Sequence, residues 1–131
     1  MPIPKPYREF LHYTNGLHVF NTTFALDGLR RNYDRSIEAA RQPFDIKCPN
    51  IDERPVDAID DYFFIGGYDW DGSLLYIDSK DNRVFRCSRD SAKPLNNWNS
   101  FEEMLRSEVT RLCRLFDENG KEINKSKPTT P

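Results

Sequence analysis

The stretch DYFFIGGYDWDGSLLYID, residues 61–78, decides the fold. Two short runs, 62–65 and 74–77, are rich in aromatic and aliphatic residues and are separated by glycines and aspartates, a pattern typical of strand, connection and strand. A third run, 83–87, follows a polar turn and alternates charged with apolar residues. Together they predict a meander of three antiparallel strands at about 62–87. Because the middle run is apolar on both faces, we expect both to be covered.

A C-terminal helix is predicted at about 100–116. Ser100 and Glu103 have the spacing of a capping box, which marks the start of a helix. Apolar residues then recur with a period of 3.6, which indicates one face packed on the sheet. We expect Trp98 and most of this stripe to be buried, with Cys113 as a small core residue; the stripe is Phe101, Met104, Leu105, Glu108, Val109, Leu112, Cys113 and Phe116.

The rest of the chain gives shorter elements. Apolar spacing predicts a helix from Tyr7 to Thr14. Less regular patterns predict short strands at 17–20, 24–26 and 44–46, a marginal helix at 34–41 and a loop at 88–97. The fold class expected is α+β, a single domain at 1–123 with a mixed, mainly antiparallel sheet packed against helices. Residues 124–131 are expected to form a disordered tail.

Composition excludes several classes of protein. No run approaches the roughly 20 apolar residues that a membrane span needs, and the first six residues, MPIPKP, do not resemble a signal peptide. Three cysteines far apart in sequence fit neither a disulfide framework nor a zinc spacing, so we expect reduced thiols, a cytoplasmic location and no metal or cofactor. Neither a P-loop nor a nucleophile elbow nor a dinucleotide fingerprint is present, so we expect no catalysis.

Charge is distributed unevenly although the net charge is only −2. Residues 45–81 carry ten acidic and three basic side chains, a balance of −7, whereas the flanking segments are weakly basic. Such a segment disfavours binding to nucleic acid and favours a basic protein partner. The alternative is that these are turn aspartates on a solvated face. A membrane partner is not expected, and the sequence leaves the oligomeric state open.

The connection between the first two predicted strands is the candidate partner-binding site. It contains Tyr68, Asp69, Trp70 and Asp71, and exposed Tyr and Trp are typical anchors of interfaces. Asp57, Asp60 and Asp61, upstream of the first strand, are expected nearby. Two alternatives stay open at this stage. Large aromatics are often buried, so Tyr68 and Trp70 could instead cap the core, and two aspartates so spaced are more often turn formers than an acid/base pair.

Several motifs resemble the SUKH superfamily, which includes the yeast cell-wall-assembly regulator and many bacterial proteins. PYREFL at 6–11 with Asn-Gly at 15–16 is similar to the opening motif of the family. PNIDERP at 49–55 resembles a motif of one bacterial branch. IGGYDWDGSLLYID at 65–78, followed by RVF, is similar to the family core, and the predicted last helix fits its closing helix. The resemblance covers roughly residues 4–116.

This resemblance implies an α+β fold and a role in binding rather than a catalytic residue set. Bacterial members are implicated as immunity proteins that neutralise toxin domains, commonly nucleases or deaminases. A basic toxin domain is therefore the partner we expect from the resemblance. The alternative is a general regulatory or scaffold module, as in the eukaryotic branch of the family.

Overall fold

A computed structural model describes residues 2–31, 36 and 43–131 of the chain. Within them, six strands and two α-helices form an α+β domain, which confirms the predicted fold class. The elements are α1 (Lys5–Tyr13), β1 (Leu17–Val19), β2 (Phe24–Leu26), β3 (Tyr62–Tyr68), β4 (Leu74–Asp78), β5 (Val84–Cys87), β6 (Pro94–Trp98) and α2 (Phe101–Cys113), with a short π-helix at Cys48–Asp52. The helix expected at 34–41 lies outside the described residues.

The sheet follows the chain in order, from β1 to β6, and each strand pairs antiparallel with the next. The predicted central meander is β3, β4 and β5, and is confirmed. Instead of the mixed sheet expected, all five strand pairings among the described residues are antiparallel. The strand expected at 44–46 is reduced to one parallel bridge between Asp45 and Gly28.

The larger core lies between the sheet and the two helices. Tyr7 from α1, with Met104 and Leu112 from α2, is fully buried against Ile65 and Leu75 of the sheet. A smaller cluster of Phe64, Tyr76, Cys87 and Ala92 covers the opposite face. Both faces of β4 are therefore covered, as its sequence predicts.

The capping box at the start of α2 is formed. The backbone N–H of Glu103 donates to the hydroxyl of Ser100 over 3.0 Å, and the Glu103 carboxylate accepts from the N–H of Asn99 over 2.8 Å. The predicted stripe is buried only in part. Cys113 is exposed, and Trp98, Leu105 and Val109 are only partly buried, whereas Glu108 within the stripe is buried.

Two further segments differ from expectation or extend it. The loop predicted at 88–97 contains the edge strand β6, which pairs with β5 although it begins at Pro94. An edge strand uses the hydrogen-bonding groups of one side only, so it tolerates proline.

Thr129 is buried, and its carbonyl accepts a 2.8 Å hydrogen bond from Arg111. The division into a domain at 1–123 and a disordered tail at 124–131 stays a prediction.

Candidate functional site

A β-bulge in β3 determines which face of the sheet Tyr68 occupies at the start of the candidate loop. The pairing of β3 with β4 shifts by one residue between Phe64 and Gly66, so Tyr68 lies on the same face as Phe63 and Ile65. Glycine is needed at 66, because a Cβ there would lie 2.0 Å from the carbonyl oxygen of Ala25. The bulge therefore turns Tyr68 toward the helices as the chain enters the β3–β4 connection.

Tyr68 is part of the core and not of the surface. Only 3% of it is exposed, and its hydroxyl donates a hydrogen bond to the carboxylate of Glu108 on α2. Burial and the neighbouring Glu108 raise the pKa of the Tyr68 phenol, which therefore stays protonated. Glu108 in turn accepts two hydrogen bonds from Arg111, over 2.7 and 3.0 Å. Of the two readings of Tyr68, the structure agrees with the core position.

Asp71 fixes the shape of the connection. One of its carboxylate oxygens accepts from the backbone N–H of Ser73 over 2.9 Å, and the other forms a 2.7 Å ion pair with the largely buried guanidinium of Arg86. Partial burial acts to raise the pKa of the Asp71 carboxyl, but hydrogen bonds from Ser73 and the charge of Arg86 outweigh it and lower the pKa. Asp71 is thus a turn former and the counter-ion of Arg86.

Asp69 and Trp70 are the exposed members of the connection. Trp70 is 44% exposed, and Asp69 is exposed beside it. A half-exposed indole next to an exposed carboxylate provides an apolar contact and a negative charge at the same place on the surface.

The structure does not bring Asp60 and Asp61 to this loop. They precede β3, whereas Asp69 follows it, and the strand between Asp61 and Asp69 spans about 25 Å. Asp61 instead pairs with Lys80 over 3.2 Å, and both are substantially exposed. Asp57 accepts 2.7 Å hydrogen bonds from Ala92 and Ser91, which lower the pKa of its carboxyl. The acidic residues of the predicted site therefore do not form one continuous surface with the loop.

A cleft of about 570 Å³ lies beside the loop, on the sheet face opposite α1 and α2. Its floor comes from Ala25, Gly66, Gly67 and Leu74, which carry little or no side chain except for the leucine. Small residues on neighbouring strands leave a hollow that larger side chains would fill. The remaining lining comes from the segments around residues 22–30, 44–53 and 69–73.

Among the residues that the structure describes, four acidic side chains line this cleft, against one basic side chain, Arg30. The acids are Asp27, Asp45, Glu53 and Asp69. Asp27 is the most enclosed, with 7% exposed. Burial, and then the negative charge of Asp45, raise the pKa of the Asp27 carboxyl to about 8.

Sequence reasoning identified the loop but missed the cleft. Asp27 was not among the predicted site residues, yet the pairing of β2 with β3 and the bridge between Gly28 and Asp45 place it near acids that are 18 to 42 positions later in the chain. The acidic balance of 45–81 was a partial signal, since three of the four cleft acids belong to that segment. Glu108 offered another, because a carboxylate on an apolar helix stripe needs a buried partner.

The chemistry of the residues around the cleft can be described from one thiol and from the placement of possible metal ligands. Cys48 lines the cleft, but burial and the nearby Asp45, Asp52 and Glu53 raise the pKa of its thiol, so the reactive thiolate is disfavoured. Within the part of the chain that the structure describes, no group of three or more His, Cys, Asp or Glu residues could hold a metal ion. None of the described helices has both the length and the apolar character to cross a membrane.

Comparison with protein families places the chain beside a known family. The model of the family described as SMI1 / KNR4 family (SUKH-1) matches residues 1–107, which includes α1, all six strands and the start of α2. The candidate loop and the whole cleft lie inside the matched region. Searches of the curated proteins and of the solved structures found no match.

Proposed function

This chain belongs to the SMI1/KNR4 family (SUKH-1), and from that premise we propose that it is a non-catalytic immunity protein that binds and neutralises a bacterial toxin domain. SUKH domains are known in general as toxin-immunity modules. The partner proposed is a basic, nuclease-like protein domain, and the complex forms in the cytoplasm. No nucleic acid, membrane or cofactor takes part.

The observation that carries the proposal is the exposed pair Asp69 and Trp70 at the edge of an acidic cleft. Nuclease domains have basic substrate clefts, so a negative surface can steer onto them and block them. The indole supplies the desolvated contact that typically dominates the energy of an interface. Tyr68 and Asp71 support this surface from beneath, through Glu108 and Arg86 respectively.

The acids upstream of β3 have a secondary role in the proposal. Asp60 and Asp61 lie about 25 Å from Asp69 along β3, so they would contribute to long-range steering rather than to the contact itself. Asp57 is already engaged by Ser91 and Ala92. The centre of the interface is therefore assigned to Asp69 and Trp70.

A general regulatory or scaffold module is the alternative, because such a protein also needs an exposed recognition surface. The two functions differ in their effect on a toxin. An immunity protein abolishes toxicity at a one-to-one ratio, whereas a scaffold binds its partner and leaves the partner's activity intact.

The deciding experiment co-expresses the chain with a basic, nuclease-like toxin domain and measures cell survival, followed by the activity of the purified toxin. We expect survival and stoichiometric inhibition with the parent chain. Survival should be lost when Asp69→Lys and Trp70→Ala are combined, while Glu118→Lys, a charge reversal at an exposed acid that does not line the cleft, serves as the control. Tight binding that leaves toxin activity unchanged would support the scaffold alternative and reject the immunity role.

A further inference from the structure

A small cavity of about 230 Å³ lies where the chain turns back after α2. At this turn the N–H of Ile123 donates to the carbonyl of Leu115 over 3.0 Å. Farther along, Thr129 returns to the helix, because its carbonyl accepts from Arg111 over 2.8 Å. Pockets for drug-sized ligands measure roughly 300–1,000 Å³, so this smaller cavity suits a single small group.

Thr129 lines this cavity and has a buried hydroxyl with no hydrogen-bond partner among the described residues. Only 3% of the residue is exposed. Because the hydrogen of a hydroxyl rotates freely, it can donate to an acceptor placed in the cavity. Buried polar groups without a partner are rare in folded proteins, and a ligand that supplies the partner is one explanation for them.

The other polar groups of the cavity are also donors. Arg114 and Lys127 line it, and neither forms an ion pair within the described part of the chain. The side-chain carbonyl oxygen of Asn124 accepts from the hydroxyl of Ser126 over 2.7 Å, which leaves the amino group of this amide for another acceptor. Together with the Thr129 hydroxyl, these donors come from separate positions along the chain. They therefore suit a tetrahedral phosphate group, which offers three strong acceptor oxygens, better than a planar carboxylate.

Two features oppose an anion in this cavity. Glu122 also lines it and is half-buried, so the described lining has two basic and one acidic side chains, a formal balance of +1. The C-terminal end of α2, next to Arg114, carries a partial negative charge. We therefore expect weak affinity. A cation is nevertheless the poorer occupant, because Arg114 and Lys127 repel it, and an apolar group would leave the Thr129 hydroxyl unpaired.

We propose that this cavity binds one phosphate group, with Arg114 and Lys127 as counter-charges and the hydroxyl of Thr129 as a further donor. Arg114 directly follows α2, whereas Lys127 and Thr129 belong to the C-terminal segment, so the bound group ties that segment to the helix. Ile123, largely exposed at the cavity, can contact the organic part of a phosphate monoester. The cavity shares no lining residue with the acidic cleft, and the inference does not rest on the proposed function.

The test titrates the ¹⁵N-labelled full chain with inorganic phosphate at constant ionic strength, with sodium chloride as the reference salt. We expect amide shifts at Leu115, Asn124 and Thr129 that saturate with a millimolar Kd. Phenyl phosphate, a monoester, separates the two sources of the phosphate group. Tighter binding of phenyl phosphate would indicate an organic phosphate as the ligand, whereas equal or weaker binding would indicate the free ion.

Thr129→Val is the most informative variant, because it removes the unpartnered hydroxyl and keeps the shape of the side chain. It should weaken phosphate binding about fivefold, while the melting temperature without phosphate stays the same or rises. Arg114→Gln and Lys127→Gln should each weaken binding about fivefold, and Glu122→Gln should strengthen it. Lys125→Gln removes an exposed charge that does not line the cavity, so this matched control should leave the Kd unchanged.

Three results would overturn the inference. The first is a set of shifts that grow linearly up to tens of millimolar phosphate without saturation. The second is an equal Kd for Thr129→Val and Lys125→Gln. The third is a spectrum in which residues 124–129 have the sharp, narrowly dispersed signals of a disordered chain and phosphate leaves them unchanged, because the site requires this segment to be folded onto α2.

Discussion

The phenol of Tyr68 and the carboxylate of Glu108 are 40 positions apart in the chain and share a buried hydrogen bond that joins the end of β3 to the middle of α2. Arg111 neutralises Glu108 and also binds the carbonyl of Thr129, so one connected group of polar contacts links the loop, the helix and the C-terminal segment. Because a buried carboxylate is costly without partners, the end of β3 is held in one position relative to α2.

Removal of this hydrogen bond should destabilise the fold. Tyr68→Phe leaves Glu108 with Arg111 alone, and we expect the free energy of unfolding to fall by about 1–2 kcal/mol. A double-mutant cycle with Glu108→Gln, measured by urea denaturation, should give a coupling free energy above about 0.5 kcal/mol. Additive single effects would show that the two side chains do not interact.

Residues on the buried face of α2 should contribute more to the free energy of unfolding than residues at the edge of that face. Leu112 is fully buried, so Leu112→Ala should lower the free energy of unfolding by about 2–5 kcal/mol. Leu105 was expected to be as buried, but it is only partly so, and Leu105→Ala is the matched control with a smaller loss. Equal losses for the two variants in denaturant unfolding would contradict this orientation of the helix.

Substitution of the two aspartates of the loop, Asp69 and Asp71, should have different effects on stability. Asp71→Ala leaves the largely buried guanidinium of Arg86 without its carboxylate, and we expect a loss of about 1–3 kcal/mol. Asp69→Ala removes an exposed side chain and should change stability by less than about 0.5 kcal/mol. Thermal unfolding of the pair at pH 7 distinguishes them, and an unstable Asp69→Ala protein would refute the assignment of Asp69 to the surface.

Stability should decrease with pH because of Asp27. Its pKa is about 8 in the folded chain and near 3.8 when unfolded, so between these values only the folded chain retains the proton. The free energy of unfolding therefore falls as pH rises from about 4 to about 8. Asp27→Asn should flatten this part of the profile and be more stable than the parent by at least about 1 kcal/mol at pH 8. Parallel profiles for the two proteins would show that Asp27 is not buried in its neutral form.

Trp70 and Asp69 should act on different rates of binding to the toxin. Trp70→Ala removes a half-exposed contact, so it should speed dissociation at least tenfold and lower the melting temperature by no more than a few degrees. Asp69→Lys should mainly slow association and reduce its dependence on salt. A Trp70→Ala protein that melts much lower yet binds normally would identify Trp70 as a core residue.

The sequence predicted those elements whose local pattern agrees with their tertiary environment. The meander and α2 have clear periods, turn residues at their ends and, for α2, a capping box that the structure confirms. β6 was missed because a polar edge strand with Pro94 and two asparagines has no apolar alternation, and its pairing with β5 alone defines it. Cys113 was misplaced because it lies one helical step beyond Leu112, at the edge of the stripe.

The site was less predictable, for two physical reasons. One inserted residue at the bulge between Phe64 and Gly66 reverses the side of the sheet that Tyr68 faces, and no local pattern announces it. The second reason is distance in sequence. Asp27, Asp45, Glu53 and Asp69 converge because β2 pairs with β3 and Gly28 bridges to Asp45, whereas the composition of 45–81 suggested a patch that included Asp60 and Asp61.

The sequential order of the sheet has a consequence for synthesis on the ribosome. Each strand pairs with the one made just before it, so hairpins can form while the chain is still being extended. α2 emerges last, however, and until then the side of the sheet that includes Phe24, Ile65 and Leu75 has no cover from it. A nascent chain halted before Leu112 therefore exposes a broad apolar surface. We expect this intermediate to aggregate more readily than the chain in which α2 is complete.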